Sequence, residues 1–237
     1  MNKMPYIICH MLMSIDGKVT GEFLYDEKAA NSCEIYYELH RNFKADGFIC
    51  GRVTMEESFT KNYYPDLSKY NNCGVSYDDY IYKNAAKFYA IAFDRKGKLG
   101  WKNNIINDED PGYDKSHIIE VLTKQVSKEY LCYLKDKKIS YIFAGEDELD
   151  VKLALEKIHK YFNTKTLLLE GGSIINGAFF KENLVDELSL VLCPLTANNN
   201  DKSLFYDAHI ESFDLLDLKS INDTITIKYN RVESENL

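Results

Sequence analysis

The stretch LLLEGGS, residues 167–173, contains the pattern that decides the fold. Its three consecutive leucines predict a short strand that is buried on both faces, as strands are in a parallel sheet. Gly171 and Gly172 end that strand, and the residues that follow predict a helix through about Lys181. A strand that passes through a tight turn directly into a helix is the unit from which α/β folds are built.

Short apolar runs alternate with helical periodicity over most of the remaining chain. Strands are predicted at 6–13, 47–50, 88–93, 118–122, 139–143, 166–169 and 187–193. Helices are predicted at about 27–43, 53–59, 127–136 and 149–162. Two alternating runs, 213–219 and 224–231, predict an antiparallel hairpin. We therefore predict an α/β fold in a single domain, residues 1–237, with a central mixed, mostly parallel sheet and a C-terminal antiparallel hairpin.

Two segments of the sequence have no clear period. Residues 60–86 are polar and rich in tyrosine and asparagine, so we expect a long excursion or lid. A substrate lid, a dimer surface and a solvated loop all fit this composition. Residues 102–115 contain a Pro-Gly pair and are predicted to form a solvated loop or the tip of a hairpin.

Composition excludes several classes of protein. The 237 residues include 29 Lys and Arg against 37 Asp and Glu, which gives a formal net charge of −8. An acidic chain lacks the basic surface that non-specific binding to nucleic acid requires. No apolar run approaches the roughly 18–20 residues of a membrane span, and no signal peptide is recognisable. We expect a cytoplasmic protein with no nucleic-acid or membrane partner.

Cysteine and histidine usage argues against a metal site. Six cysteines and five histidines include no CxxC pair, no HExxH motif and no Cys/His cluster. Cys9, Cys50 and Cys193 lie in apolar, strand-like runs, where cysteine acts as a small hydrophobic residue. A chain of this length has no need of disulfides, so we expect free core thiols. His10 lies in the first strand, where a hydrogen-bonded core histidine is more common than a pocket residue.

Three strand ends carry residues that suit an anionic ligand. At 170–175, glycines let the backbone approach phosphates, and the helix start offers N–H groups and positive dipole. At 51–54, Arg52 can form charge-assisted bonds to a phosphate and Thr54 offers a hydroxyl. At 14–17, Asp16 lies at the edge where ligands of open α/β sheets bind. Two phosphate candidates favour a dinucleotide, although GxGxxG is absent and an ordinary turn remains the alternative for each segment.

These segments, in this order and spacing, resemble the reductase domain of riboflavin biosynthesis, the C-terminal domain of the bifunctional deaminase-reductase. The matching stretches are PYIICHMLMSIDG at 5–17, LHRNFKADGFICGRVT at 39–54 and LLEGGSIINGAFFKENLVDELSLVLCP at 168–194. The resemblance implies a dihydrofolate reductase-like three-layer fold and, because no deaminase zinc motif precedes it, a stand-alone reductase.

The resemblance also implies a reaction and its residues. The expected enzyme is an NADPH-dependent oxidoreductase similar to 5-amino-6-(5-phosphoribosylamino)uracil reductase, which passes a hydride to the ribose C1′ of a small pyrimidine substrate and forms a homodimer. The implied cofactor-binding residues are Met13, Ser14, Gly51, Arg52, Thr54, Gly171, Gly172, Ser173, Ile174 and Ile175. Arg41 and Glu170 match substrate ligands, and Asp16 is the expected catalytic residue, for substrate orientation or proton supply.

The segment after Thr54 departs from the family's pattern. Riboflavin reductases usually continue with A-D-D-P-x-L-T-x-R, whose arginine binds the substrate phosphate, whereas residues 55–62 read MEESFTKN. GRVTMEES, residues 51–58, is more similar to the cofactor segment of dihydrofolate reductase itself. Two alternatives therefore stay open: a dihydrofolate reductase-like enzyme acting on a pteridine or another small substrate, and a non-catalytic nucleotide-binding protein on the same scaffold.

Overall fold

The computed structural model describes residues 4–83 and 85–232. The strands of this part are β1 (Tyr6–Ser14), β2 (Gly47–Gly51), β3 (Tyr89–Phe93), β4 (His117–Leu122), β5 (Ser140–Phe143), β6 (Thr166–Leu169), β7 (Glu187–Cys193), β8 (Phe213–Ile221) and β9 (Thr224–Arg231). The α-helices are α1 (Ala30–Asn42), α2 (Arg52–Met55), α3 (Lys128–Asp136), α4 (Val151–Phe162) and α5 (Ser173–Lys181). The nine strands form a mixed, mostly parallel sheet, as predicted.

The chain divides into two compact units, which we describe separately. The first unit comprises residues up to Pro5 and 45–167, and the second comprises 6–44 and those from Leu168 onward. Strand β6 contains the point at which the chain passes from one unit to the other. The prediction of a single domain stays a prediction.

The first unit contains four parallel strands in the order β5-β4-β3-β2. Strand β4 is buried along its whole length, which explains why its residues are apolar except for His117 and Glu120. Helix α3 begins where the Ser127 hydroxyl accepts a hydrogen bond from the Tyr130 N–H. Helix α4 begins in the same way at Asp150, which accepts from the Leu153 N–H.

The second unit contains strands in the order β1-β7-β9-β8. Strand β1 pairs in parallel with β7, while β9 runs antiparallel to both β7 and β8, which confirms the predicted hairpin. Helix α1 packs through Ile35 into a core that includes Leu12 of β1 and Val191 of β7. The helix predicted at 27–43 is thus confirmed in position, although its first turn, Glu27–Ala29, is a 3₁₀ turn.

Two of the six cysteines contradict the expectation of free thiols. Cys73 and Cys132 form a disulfide, with 59 residues of separation and 6.6 Å between their Cα atoms. The prediction was wrong because length and core content say nothing about two distant cysteines that the fold brings together. Tyr70 adds a second link to helix α3, since its hydroxyl donates to Asp136 at 2.6 Å. Part of the segment 60–86 is therefore bound to α3 by a disulfide and a hydrogen bond.

Residues 102–115, predicted as a solvated loop or the tip of a hairpin, lie where Ile105 and His117 form an antiparallel bridge, which agrees with the hairpin tip. The backbone of Ile106 exchanges hydrogen bonds with Ser116 and Lys115, at 2.9 and 2.8 Å, so the segment begins and ends as a short ladder. Tyr113 is buried, with its ring edge against Phe48 at 4.9 Å between centroids. Among the described residues, no helix is long and apolar enough to cross a membrane.

Candidate active site

The turn between β6 and α5 uses its two glycines for different reasons. Gly171 has φ +95°, and a Cβ there would lie 3.2 Å from the Met11 Cε, so the fold itself requires glycine. Gly172 follows through a cis peptide bond and has φ −76° and ψ −171°, an extended conformation open to any residue. The absence of a side chain at Gly172 is therefore not explained by backbone conformation.

Helix α5 begins at this turn without a side-chain cap. Gly172 is the N-cap residue and has no side-chain oxygen to accept from the first-turn N–H groups. These groups have no acceptor within the helix. Ser173 and Ile175 are buried, whereas the side chain of Ile174 is 63% exposed. The predicted residues 171–175 thus come together at a helix start that suits an anion such as the diphosphate of a dinucleotide.

Glu170, directly before the glycines, forms a buried pair with a histidine. Its Oε1 lies 2.7 Å from His40 Nδ1 in the last turn of α1, and the two side chains are 2% and 1% exposed. Sequence reasoning missed His40. The available signal was its position next to Arg41 inside the matched stretch 39–54.

The core beneath Glu170 contains a second histidine with different partners. His10 is fully buried, with Nδ1 3.1 Å from Ser189 Oγ, Nε2 3.0 Å from the Tyr36 carbonyl and its ring stacked on Tyr36. Burial lowers the pKa of His10, against the opposing effect of the Glu170 charge. His10 is thus a hydrogen-bonded core residue, as expected. Burial and the Glu170 charge both raise the pKa of the Cys9 thiol.

The end of β1 places Asp16 in a hydrogen-bonded turn. Ser14, which is buried, donates its hydroxyl to Asp16 Oδ1 at 2.6 Å, and the Ala197 N–H donates to the same oxygen at 3.0 Å. The hydrogen bond from Ser14 is the main cause that lowers the pKa of Asp16. A carboxylate of lowered pKa is a poor proton donor, so this geometry disfavours the proton supply that we expected. Met13, the residue before Ser14, is half-buried.

Arg41 lies on the exposed side of α1. Its Nη2 donates to Glu34 Oε1 at 2.9 Å, and the two side chains are partly and largely exposed. The predicted contact of Arg41 with a substrate phosphate stays a prediction.

The predicted phosphate segment 51–54 belongs to the first unit. Gly51 is the N-cap of α2, a helix of four residues that continues into a π-helical turn at Glu56–Thr60. The Arg52 guanidinium donates to the Glu56 carboxylate one turn later. Thr54 is half-buried. Glu56 thus binds the Arg52 guanidinium, which we predicted to bind a phosphate. Sequence reasoning did not predict this partner.

Solved structures define the class of fold. The chain is similar to the pyrimidine reductase-like protein DIP1392 of Corynebacterium diphtheriae, with a TM-score of 0.70, 17% identity and coverage of 97% of this chain and 93% of that one. It is also similar to Acinetobacter baumannii RibD, with a TM-score of 0.66 and 18% identity. That match covers 98% of this chain but only 59% of the RibD chain. The chain therefore shares the α/β fold of these proteins, with a mixed, mostly parallel sheet and antiparallel C-terminal strands, which confirms the predicted fold class.

The family follows from the sequence. The chain belongs to the RibD C-terminal domain family, whose pattern matches residues 5–227. Two curated relatives carry the name 2,5-diamino-6-ribosylamino-4(3H)-pyrimidinone 5′-phosphate reductase. The relative from Aquifex aeolicus is 26% identical over 195 residues, 81% of this chain and 77% of its own length. The relative from Methanothermobacter thermautotrophicus is 22% identical over 204 residues, 86% and 84%.

Proposed function

We propose that this chain is an NADPH-dependent reductase that transfers a hydride to the ribose C1′ of a phosphoribosylaminopyrimidine in riboflavin biosynthesis. Membership in the RibD C-terminal domain family and the names of the two curated relatives support this assignment. The observation at the site that carries it is the β6–α5 turn, where the buried Glu170 directly precedes a helix start without a side-chain cap.

The residues at the start of α5 fit the diphosphate of NADPH. The first-turn N–H groups of Ser173, Ile174 and Ile175 donate to the anion, and Gly172 places no Cβ between the backbone and the phosphates. When bound, NADPH supplies the hydride. Met13 and Ser14 are the proposed contacts of its nicotinamide. Further predicted cofactor residues are Gly51, Arg52 and Thr54, and Arg52 can bind a phosphate only by giving up Glu56.

The assignment is tested by following NADPH oxidation with three substrates in parallel. These are the ribosylaminopyrimidinone phosphate named for the relatives, the phosphoribosylaminouracil and dihydrofolate. We expect turnover with a ribosylaminopyrimidine phosphate, and label from deuterated NADPH at C1′ of the product. Oxidation with dihydrofolate alone would assign the chain to the pteridine alternative. NADPH binding without oxidation by any substrate would favour the non-catalytic alternative.

A substitution at Gly172 tests the cofactor site separately from catalysis. Gly172→Asp sets a carboxylate against the diphosphate, and we expect NADPH binding, measured by calorimetry, to weaken by about 100-fold or more. The matched control is Gly172→Ala, which the φ of −76° accommodates without a charge and which should bind far better than the aspartate variant. Unchanged binding by the aspartate variant would exclude the diphosphate from this turn. NADH titrated beside NADPH measures cofactor preference.

We also propose that the protein is a homodimer. Leu215, Leu216 and Leu218 on strand β8 are each more than half exposed, an unusual density of apolar side chains for a solvated strand. Light scattering after size exclusion should give twice the chain mass. Replacement of all three leucines by glutamate should give the monomer mass, and a wild-type monomer at micromolar concentration contradicts this proposal.

A further inference from the structure

His40 and Glu170 form an almost fully buried pair, with side chains that are 1% and 2% exposed. The residues are 130 positions apart in sequence, and the fold brings Oε1 and Nδ1 to 2.7 Å. Glu170 directly follows the carboxyl end of strand β6, the end at which α/β proteins bind ligands. His40 reaches it from the last turn of α1.

An isolated carboxylate at this depth is costly. Removing a carboxylate from water is unfavourable unless a partner compensates for the lost hydration. An ionised Glu170 can only accept hydrogen bonds, so the proton of their hydrogen bond then belongs to His40 Nδ1. Because the imidazole is planar and its position is fixed by α1, this bond fixes the direction of the carboxylate as well.

The nearby buried histidine does not compete for this role. His10 Nδ1 lies against Ser189 and its Nε2 against the Tyr36 carbonyl, so both ring nitrogens have other partners. Water competes little for the Glu170 oxygens, because the side chain is 2% exposed. A donor group on a bound ligand therefore meets a carboxylate whose orientation His40 has set.

We propose that His40 is a positioning residue, which orients the Glu170 carboxylate beside the β6–α5 turn for hydrogen bonds from hydroxyl or amino groups of the substrate. This assignment rests on the proposed reductase function. His40 itself touches neither substrate nor cofactor and acts through Glu170. Its loss affects the use of substrate and leaves NADPH binding almost unchanged.

The test compares two substitutions at one position. His40→Leu keeps the side chain large and apolar but removes the hydrogen bond, whereas His40→Asn keeps a donor at the δ position. We expect His40→Leu to lower kcat/KM for the pyrimidine substrate by about 100-fold. The NADPH dissociation constant should stay within about twofold, and His40→Asn should recover most of the lost kcat/KM.

A second buried histidine controls for general destabilisation. His117 in β4 is also buried, and its Nε2 lies 3.4 Å from Ser140 Oγ. His117→Asn should lower the melting temperature as much as a substitution at His40 while kcat/KM stays within about twofold of wild type. The ¹⁵N shift of His40 Nδ1 in the ligand-free protein, compared with Glu170→Gln, reports the hydrogen bond without turnover.

The outcomes separate this proposal from the reductase function. A wild-type enzyme that turns over, with His40→Leu equal to it in kcat/KM, overturns the positioning role alone. A His40→Asn variant no better than His40→Leu overturns it too, as does an Nδ1 shift that Glu170→Gln leaves unchanged. A wild-type protein that oxidises NADPH with none of the substrates overturns the reductase function, and the positioning role with it.

Discussion

Two buried glutamates, one in each unit, have opposite surroundings. Glu170 in the second unit has the imidazole of His40 at 2.7 Å. Glu120 on β4 in the first unit is 0% exposed and receives only neutral donors, the Trp101 Nε1–H and, at 3.3 Å, the Tyr130 hydroxyl. The Glu120 Oε2 is buried and has no hydrogen-bond partner among the residues that the structure describes. A buried glutamate thus lies beside a histidine in one unit and beside neutral hydrogen-bond donors in the other.

The surroundings of Glu120 favour its protonated form. Burial raises its pKa well above the usual range, and the nearby Asp94 carboxyl raises it further. Asp94 is buried as well; its Oδ2 accepts the Leu99 N–H at 2.8 Å, while its Oδ1 has no partner in the described part of the chain. A strongly perturbed carboxyl is often taken as the sign of a functional site. Here that carboxyl lies in a closed core, whereas the candidate functional glutamate, Glu170, is paired with His40 next to the β6–α5 turn.

The largest expected effect concerns the disulfide on helix α3, the helix that packs over Glu120 through Tyr130. Helix α3 carries both Tyr130, a partner of Glu120, and Cys132 of the disulfide. The double variant Cys73→Ser/Cys132→Ser should lose about 4 kcal/mol of unfolding free energy in urea, because a crosslink of this span restricts the unfolded chain. Dithiothreitol should destabilise the wild type by a similar amount and leave the double variant unchanged. Equal midpoints for oxidised and reduced wild type would show that the crosslink contributes nothing.

The next effect tests the comparison directly, with the same substitution in both environments. Glu170→Gln should lower kcat/KM by about 100-fold, because the amide cannot replace a charged acceptor held by His40. Glu120→Gln should leave kcat/KM within about twofold of wild type, because Glu120 lies in a closed core. Steady-state kinetics of the two variants decides the matter. Equal losses of kcat/KM in the two variants would show that pairing with His40 does not distinguish the functional glutamate from the one in the core.

A smaller effect concerns stability against pH. Burial and the nearby Asp94 carboxyl make the pKa of Glu120 higher in the folded protein than in the unfolded chain, so unfolding releases a proton from this group between the two pKa values. Its contribution is fully present below about pH 4.5 and declines by about 1.4 kcal/mol for each pH unit above that, until the folded pKa is passed. Glu120→Gln should therefore gain stability relative to wild type as pH rises from about 5 to 7, measured by urea unfolding. A difference that is constant with pH would mean that Glu120 ionises freely in the fold.

Much of the fold could be predicted from sequence because it depends on local periodicity. The strand 187–193 and the second hairpin strand, 224–231, have the predicted bounds. The burial of Tyr113 in the stretch 102–115 could not be predicted, because it depends on a distant contact with Phe48 that no local pattern records. The Cys73–Cys132 disulfide escaped prediction for the same reason.

The candidate site was predictable where it is one continuous stretch. Residues 170–175 form the turn and helix start that the glycines indicated. The partners of these residues come from elsewhere in the chain, as His40 does for Glu170. The same holds for Asp16, whose contact with the Ala197 N–H joins positions 181 apart. A residue type suggests a chemical role, but its partners decide whether that role is available.

Asp16 provides the smallest expected effect and a third carboxylate for the comparison. Unlike the two glutamates it is exposed, and hydrogen bonds from Ser14 and Ala197 keep its pKa low. In Asp16→Asn the amide oxygen still accepts both bonds, so kcat should change by less than about threefold. The low-pH limb of the kcat profile should not move. A proton supplied by Asp16 would instead require a loss of about 100-fold or more in kcat and a shift of that limb. Such a result would restore Asp16 as the catalytic acid, with Glu170 a substrate ligand as before.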